Sequence, residues 1–230
     1  MSVVKHAPTF ALADAARLAK ELYGLSGSVD VLPSERDQNF LLTVGDERYV
    51  LKIANTTEEY AMLDAQNQMM AHVAGFGNLF PKVIASLRGE NIETVSGANG
   101  RKHFVRLVTY LNGIPLGNVK RHSSELMTDL GRKLCELDKT LQSFDHPALH
   151  RDFHWDFANG LSIVKKNIKL VRDKKLRGMV SELTKNFEKF TLPLLQRLRK
   201  NAIYNDANDY NILVGGGKDI YSFNQSVTGF

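Results

Sequence analysis

Residues 202–214 read Ala-Ile-Tyr-Asn-Asp-Ala-Asn-Asp-Tyr-Asn-Ile-Leu-Val. Two apolar runs, Ala202–Tyr204 and Ile212–Val214, flank a loop packed with carboxylates and amides. That is an expensive composition to hold between buried segments, because each polar group must find a partner. Asp206 and Asn211 stand five apart. From opposite ends of one turn, they present a carboxylate and an amide oxygen, with a hydrophobic strand behind them as anchor. An Asx-rich surface turn without chemistry has the same composition, so the rest of the chain decides between the two.

Working backwards, Lys165–Arg177, Arg197–Lys200 and the stretches between them place Leu and Val at helical spacing among mixed charges. Phe153–Val164, Leu176–Glu188 and Leu192–Leu198 read as helical or partly helical, with Pro193 suited to a first turn. Ser124–Phe144 is an amphipathic helix capped at Ser123 or Ser124. Before Gly113-Ile114-Pro115 the character changes to strands. Lys102–Leu111 pairs with Asn91–Val95 across the Gly97–Gly100 turn, and Phe80–Leu87 is a loop entering a short strand. Glu58–Ala74 is a helix with Met62, Ala65, Met69, Met70 and Val73 on one side. Val29–Leu32, Phe40–Val44 and Arg48–Ile53 are strands, the last two joined at Gly45-Asp46-Glu47, and Phe10–Leu25 is an amphipathic helix. The expectation is an α+β fold of two lobes: an antiparallel sheet lobe over residues 1–112 and a helical lobe over 113–230, with the boundary near Leu111–Leu116.

The 230 residues are 43% hydrophobic and 24% charged, as in an ordinary globular protein. Phe10–Leu25 is broken by Asp14, Arg17, Lys20 and Glu21, so it is no signal peptide, and no run reaches the ~18 apolar residues of a membrane span. The expected setting is cytoplasmic, with no membrane partner. The net charge of +5 resides on basic positions interspersed with Asp173, Glu182 and Glu188, which is the pattern of solvated helix faces; nucleic acid is not an expected partner. The single cysteine, Cys135, excludes an intrachain disulfide. It falls among Leu130, Leu134, Leu137 and Leu141 and is expected to be a small core residue.

Against that frame the polar positions take on roles. Asp206 and Asn211 fit the Asp-x-x-x-x-Asn of a kinase catalytic loop, in which the Asp accepts a hydroxyl proton and the Asn binds Mg²⁺. Lys52 ends the apolar strand Tyr49-Val50-Leu51-Lys52-Ile53 and has the place of a phosphate-binding lysine. Glu58, Glu59 and Asp64 are its candidate partners; Asp64 heads a polar stripe with Gln68 and His72. Pro33–Asn39 joins two strands where a phosphate-covering loop would lie, with Ser34 and Asn39 as polar candidates, although Gly-x-Gly-x-x-Gly is lacking. Phe104–Gly113, with Thr109 at its end, has the place of a hinge whose backbone reads a nucleobase. Each part is weak alone; their order along the chain is that of a kinase fold.

The whole chain resembles the aminoglycoside phosphotransferase and choline kinase superfamily, and within it the hydroxylysine-kinase-like branch. The likeness is carried by Val50–Ile53, Leu63-Asp64-Ala65-Gln66-Asn67, Thr109–Gly113, Phe144-Asp145-His146-Pro147 and Asn205–Asn211. It implies a protein-kinase-like two-lobed fold. It also implies Lys52 on the phosphates of ATP or GTP, Asp64 as the lysine's ion-pair partner, Asp206 as catalytic base and Asn211 as a Mg²⁺ ligand. The implied acceptor is a small amino alcohol such as hydroxylysine, an ethanolamine- or choline-like amine, or an aminoglycoside, with Asp209 beside its cationic group. Some members are fused to further domains. Where relatives usually carry His two residues before the base, this chain has Tyr204, so altered support of the loop is expected. Ser226–Phe230 has the place of the strand that in relatives runs into Asp-Phe-Gly, whose Asp holds Mg²⁺. The expectation is therefore a truncated piece of a larger kinase, with a nucleotide- or small-molecule-binding module without turnover as the alternative.

Overall fold

The computed structural model describes residues 7–34, 36–76, 79–152, 156–195, 197–215 and 220–223. Helix α1 (Leu12–Tyr23) starts where the Asp14 carboxylate accepts the Ala11 amide at 3.0 Å. It buries Ala15, Leu18, Ala19 and Tyr23 on one stripe. That stripe lies on a sheet of β1 (Ser28–Leu32), β2 (Gln38–Val44), β3 (Glu47–Ile53), β4 (Val83–Ile84), β5 (Glu93–Ser96) and β6 (Lys102–Thr109). The order is β1-β2-β3-β6-β4, with β5 also on β6, and every pairing is antiparallel. Because side chains alternate, register decides what each face carries. Phe40, Leu51 and Leu107 lie abreast toward α1, while Asn39, Lys52 and Arg106 lie abreast on the opposite face.

Helix α2 (Tyr60–His72) covers part of that second face, and it is buried on two sides. Met62, Ala65, Met69 and the following Val73 join the core of the helical lobe, while Leu63 packs with Ala54 and Ile92 on the sheet side. The strut between α2 and the sheet is Arg106, 3% exposed in the middle of β6. Its guanidinium donates to the Leu63 carbonyl at 3.2 Å, Asn67 Oδ1 at 2.8 Å and Gln66 Oε1 at 2.8 Å.

After β6 the chain crosses into the helical lobe through β7 (Ile114–Pro115). β7 pairs with β8 (Ile212–Val214), and β8 with β9 (Ile220–Phe223). Gly113 makes the crossing possible: at φ +151° a Cβ there would lie 2.8 Å from Cβ of Leu213. Helix α3 (Ser124–Leu141) begins at Ser123, whose hydroxyl accepts the Leu126 amide at 3.2 Å, and it buries Leu126, Leu130, Leu137 and Leu141. Cys135 is exposed, against expectation. It lies nine residues beyond Leu126, about two and a half turns, and so on the opposite side of the helix.

Three more helices follow: α4 (Gly160–Asn167), α5 (Lys174–Asn186) and α6 (Leu192–Leu195). The expected helix over Phe153–Val164 is one 3₁₀ turn, Phe157–Asn159, leading into α4, and 153–155 lie outside the described residues. Pro193 stands in the first turn of α6. α5 runs into α6 through a π turn, Phe187–Thr191, because proline offers no amide to the carbonyl four residues back and the wider turn absorbs the mismatch. Residues 201–208 form no strand; only 212–214 of the expected extended runs pair. The Ser226–Phe230 segment lies outside the described residues. No helix among the described residues is long and apolar enough to cross a membrane.

Arg106→Met is expected to strip the buried Asn67 oxygen and the half-buried Gln66 oxygen of their donor, while the Leu63 carbonyl keeps its place in the α2 ladder. At about 1–3 kcal/mol for a buried group left unsatisfied, the urea midpoint of unfolding should fall clearly. A midpoint equal to wild type would mean that α2 does not depend on this strut.

Candidate active site

A cleft of about 960 Å³ opens between the sheet and the loop before β8. Its upper wall carries Ser34, Asp37, Asn39, Val50 and Lys52, its back carries Val108–Leu111, and its floor carries Asp206, Asn208, Asp209 and Asn211. Of the residues singled out from sequence, Ser34, Asn39, Lys52, Thr109, Asp206 and Asn211 all line it.

The floor is a loop tied to itself. Ala202 and Tyr204 before it and Ile212 and Val214 after it are buried, so both ends are anchored in the core. The Asn211 amide nitrogen Nδ2 donates to the Asp206 carbonyl at 3.0 Å and to its Oδ2 at 2.9 Å. Asn208 Nδ2 donates to the other carboxylate oxygen at 2.7 Å, and Asn208 Oδ1 accepts the Tyr210 amide at 3.0 Å. The Asp206 carboxylate is thus fixed in orientation while each oxygen keeps a lone pair. Asn211 commits its donor to Asp206, and its Oδ1 remains as the acceptor a cation would use. The tyrosine in place of histidine keeps a supporting role: the Tyr204 hydroxyl donates to the Asn211 carbonyl at 3.3 Å, and its ring meets Phe80 edge-on at 6.4 Å. Gly117 donates its amide to the Asp209 carbonyl at 3.0 Å and ties the loop to the lobe crossing.

The upper wall carries the cations Arg36 and Lys52 and the carboxylate of Asp37. Lys52 is half-buried, and burial lowers its pKa from the usual value to about 8, with Arg106 adding to the effect and Asp37 opposing it. Arg106, directly opposite on β6, is brought by burial to about 10. Asp64 is not the partner of Lys52. Its carboxylate accepts from Gln68 Nε2 at 2.7 Å and lies 3.5 Å from Nε2 of His146. The reason is angular: the α2 residues that meet the sheet are Leu63, Gln66 and Asn67, and Asp64 is turned toward the helical lobe. The stripe it heads continues there, since Nε2 of His72 lies 3.1 Å from the Ser143 hydroxyl. Thr109 lines the cleft, but its hydroxyl already accepts the Lys82 amide at 2.9 Å.

The sequence reading missed Asp37, which lines the cleft, and Arg106, which neighbours Lys52 on the sheet without lining the cleft. Arg106 sits at the centre of an apolar strand with buried neighbours, and that was the available signal. Asp37 looked like one more polar loop residue; it lies in the bend just before β2 and lines the same cleft as Lys52. Among the described residues no three His, Cys, Asp or Glu side chains converge as a metal cage. This donor set suits Mg²⁺, which takes one or two protein oxygens and completes its shell with phosphate and water.

Residues 29–221 match the Phosphotransferase enzyme family. Hydroxylysine kinase of Xenopus laevis is 32% identical over 224 residues, and that of Mus musculus 31% over 227; each alignment takes in 90% of this chain and 59% of the relative. The chain therefore spans well under two thirds of the length of these curated relatives. In fold it is similar to the microcompartment-associated aminopropanol kinase, at a TM-score of 0.70 and 16% identity over 91% of this chain and 67% of that one. An amicoumacin kinase in complex with AMP-PNP, Ca²⁺ and Ami gives a TM-score of 0.67 and 15% identity over 94% and 64%. With the family match running from β1 into β9 and taking in both walls of the cleft, the chain belongs to the phosphotransferase enzyme family.

Proposed function

We propose that this chain carries the nucleotide-binding and catalytic residues of a small-molecule kinase, which moves the γ-phosphate of ATP or GTP to a hydroxyl of an amino-bearing acceptor. The observation that carries the reading is that Lys52 and the Asp206–Asn211 pair face each other across one cleft. The acceptor class draws support from the relatives named hydroxylysine kinase and the fold neighbour named aminopropanol kinase, whose names each join an amine to a hydroxyl. Two carboxylates on the floor, Asp206 and Asp209, suit such a cationic acceptor electrostatically.

In this reading Lys52 draws the nucleotide phosphates to the upper wall, and the Pro33–Asn39 connection lies over them. The acceptor hydroxyl rests against the Asp206 carboxylate, which Asn208 and Asn211 hold in place. The hydroxyl oxygen bonds to the γ-phosphorus as the bond between γ-phosphorus and the bridging oxygen breaks. The diphosphate leaves with that oxygen, and the hydroxyl proton passes to Asp206. Asn211 Oδ1 would hold Mg²⁺, which when bound neutralises charge on the phosphate oxygens.

Asp206→Asn keeps the hydrogen-bonding shape and removes the proton acceptor. It should cut kcat by roughly 10²–10⁴-fold with nucleotide Kd within a few-fold of wild type. Near-normal turnover would take Asp206 out of this role.

Lys52 gives a pH signature. Only the ammonium attracts phosphate, and bound phosphate raises its pKa, so nucleotide binding takes up a proton once the pH exceeds about 8. Affinity should be level below that value and roughly tenfold weaker at about pH 9. Calorimetric titration with ATP across pH checks it; an affinity constant through that range would show that Lys52 is not the phosphate ligand.

A further inference from the structure

We propose that Asn55, just past the end of β3 and outside the cleft, is the positioning residue of the β1–β2 connection, holding it in place before a ligand arrives. The proposal rests on the reading of Pro33–Asn39 as a phosphate-covering loop, and it names the residue that fixes that loop.

In protein kinases the covering loop is rich in glycine, which leaves its backbone free to adapt. Pro33–Asn39 contains no glycine. Its course is set instead by bonds from outside it. Ser34, Arg36 and Asp37 of the connection line the cleft; Asn55 does not, and it is 1% exposed.

Asn55 holds two successive residues of the connection. Its backbone amide donates to Asp37 Oδ1 at 3.0 Å, and its side-chain Nδ2 donates to the Arg36 carbonyl at 3.2 Å. The side chain is itself locked. Asn55 Oδ1 accepts from the Thr57 amide at 3.0 Å and from the Thr57 hydroxyl at 2.9 Å, while the Asn55 carbonyl accepts the Glu58 amide at 3.0 Å. With the oxygen committed to Thr57, the planar amide can only turn its nitrogen toward the connection.

Two further ties act on the same stretch. Gln38 exchanges a pair of hydrogen bonds with Phe10: its Oε1 accepts the Phe10 amide and its Nε2 donates to the Phe10 carbonyl, each at 2.8 Å. The Arg36 guanidinium lies 3.6 Å from the Glu58 carboxylate, ahead of α2. Burial decides how these ties rank. The Arg36 side chain is 51% exposed, so water and salt screen its ion pair, whereas Asn55 is closed off from solvent. A connection held this way has little ordering left to do when a ligand binds. Once released, it would be in place for only a fraction of the time, and apparent affinity falls by that fraction.

Hydrogen–deuterium exchange of the ligand-free protein, read by mass spectrometry over residues 36–40, reports on the connection directly. Asn55→Asp keeps the oxygen that Thr57 uses and replaces the donor that Arg36 uses, so exchange there should quicken about tenfold while β6 keeps its wild-type rate. Asn55→Ala, which removes the donor without adding charge, should do the same. Thr57→Val strips a hydroxyl bond from the same turn but leaves the Arg36 bond, and its connection should exchange as in wild type. With the connection in place for about a tenth of the time, the ATP Kd of Asn55→Asp should rise about tenfold with kcat within a few-fold. A general defect of the fold would lower kcat as well. Wild-type exchange in both Asn55 variants, or an equal rise in Thr57→Val, overturns the assignment. Failure of the wild type to bind ATP would remove the kinase reading, and exchange alone would then decide the role of Asn55.

Discussion

Two cations side by side on one sheet face set the terms for the rest of this structure. Lys52 and Arg106 oppose each other directly on neighbouring strands, an arrangement that costs energy unless something offsets it. Arg106 is offset by helix α2, which supplies three neutral oxygens and is thereby fastened to the sheet. Lys52 has no such set of acceptors, and burial lowers the proton affinity of both cations, Lys52 to about 8 and Arg106 to about 10. Of the two, only Lys52 lines the cleft, on a wall that also carries Arg36 and Asp37. In the proposed reading, nucleotide phosphate is the ligand that Lys52 draws to this wall.

The floor follows the opposite logic. Asp206, Asn208 and Asn211 satisfy one another before any ligand arrives, and Tyr204 and Gly117 tie them to the buried strand and to the lobe crossing. A carboxylate fixed by amides needs little reorganisation when it receives a proton. In the proposed reading, binding and chemistry fall to different parts of the chain.

Much of this could be read from the residues in order. The strand alternation from Val29 to Ile53 and the stripe Met62, Ala65, Met69, Val73 gave the sheet lobe and the buried side of α2, because burial repeats at the period of the element. The Asp206–Asn211 spacing gave the floor, because both residues belong to one turn. Less accessible were facts that depend on two segments at once. Arg106 meets Lys52 and α2 through strand register, and Asp64 turns from the cleft because α2 meets the sheet through Leu63, Gln66 and Asn67. Cys135 shows a simpler lapse: four leucines near it in sequence define a stripe that it does not share, since angle on the helix, not nearness along the chain, decides burial.

The central claim is that the cleft transfers phosphate to a hydroxyl of an amino-bearing molecule, and ³¹P NMR of the reaction mixture tests it most directly. The protein would be incubated with ATP or GTP, Mg²⁺ and, in separate tubes, hydroxylysine, aminopropanol and a matched alcohol lacking the amine. The account predicts a new phosphate monoester resonance, growing as ADP or GDP accumulates, in the amine-bearing tubes alone. Release of inorganic phosphate with no ester in any tube, or an ester formed equally from the plain alcohol, would contradict it.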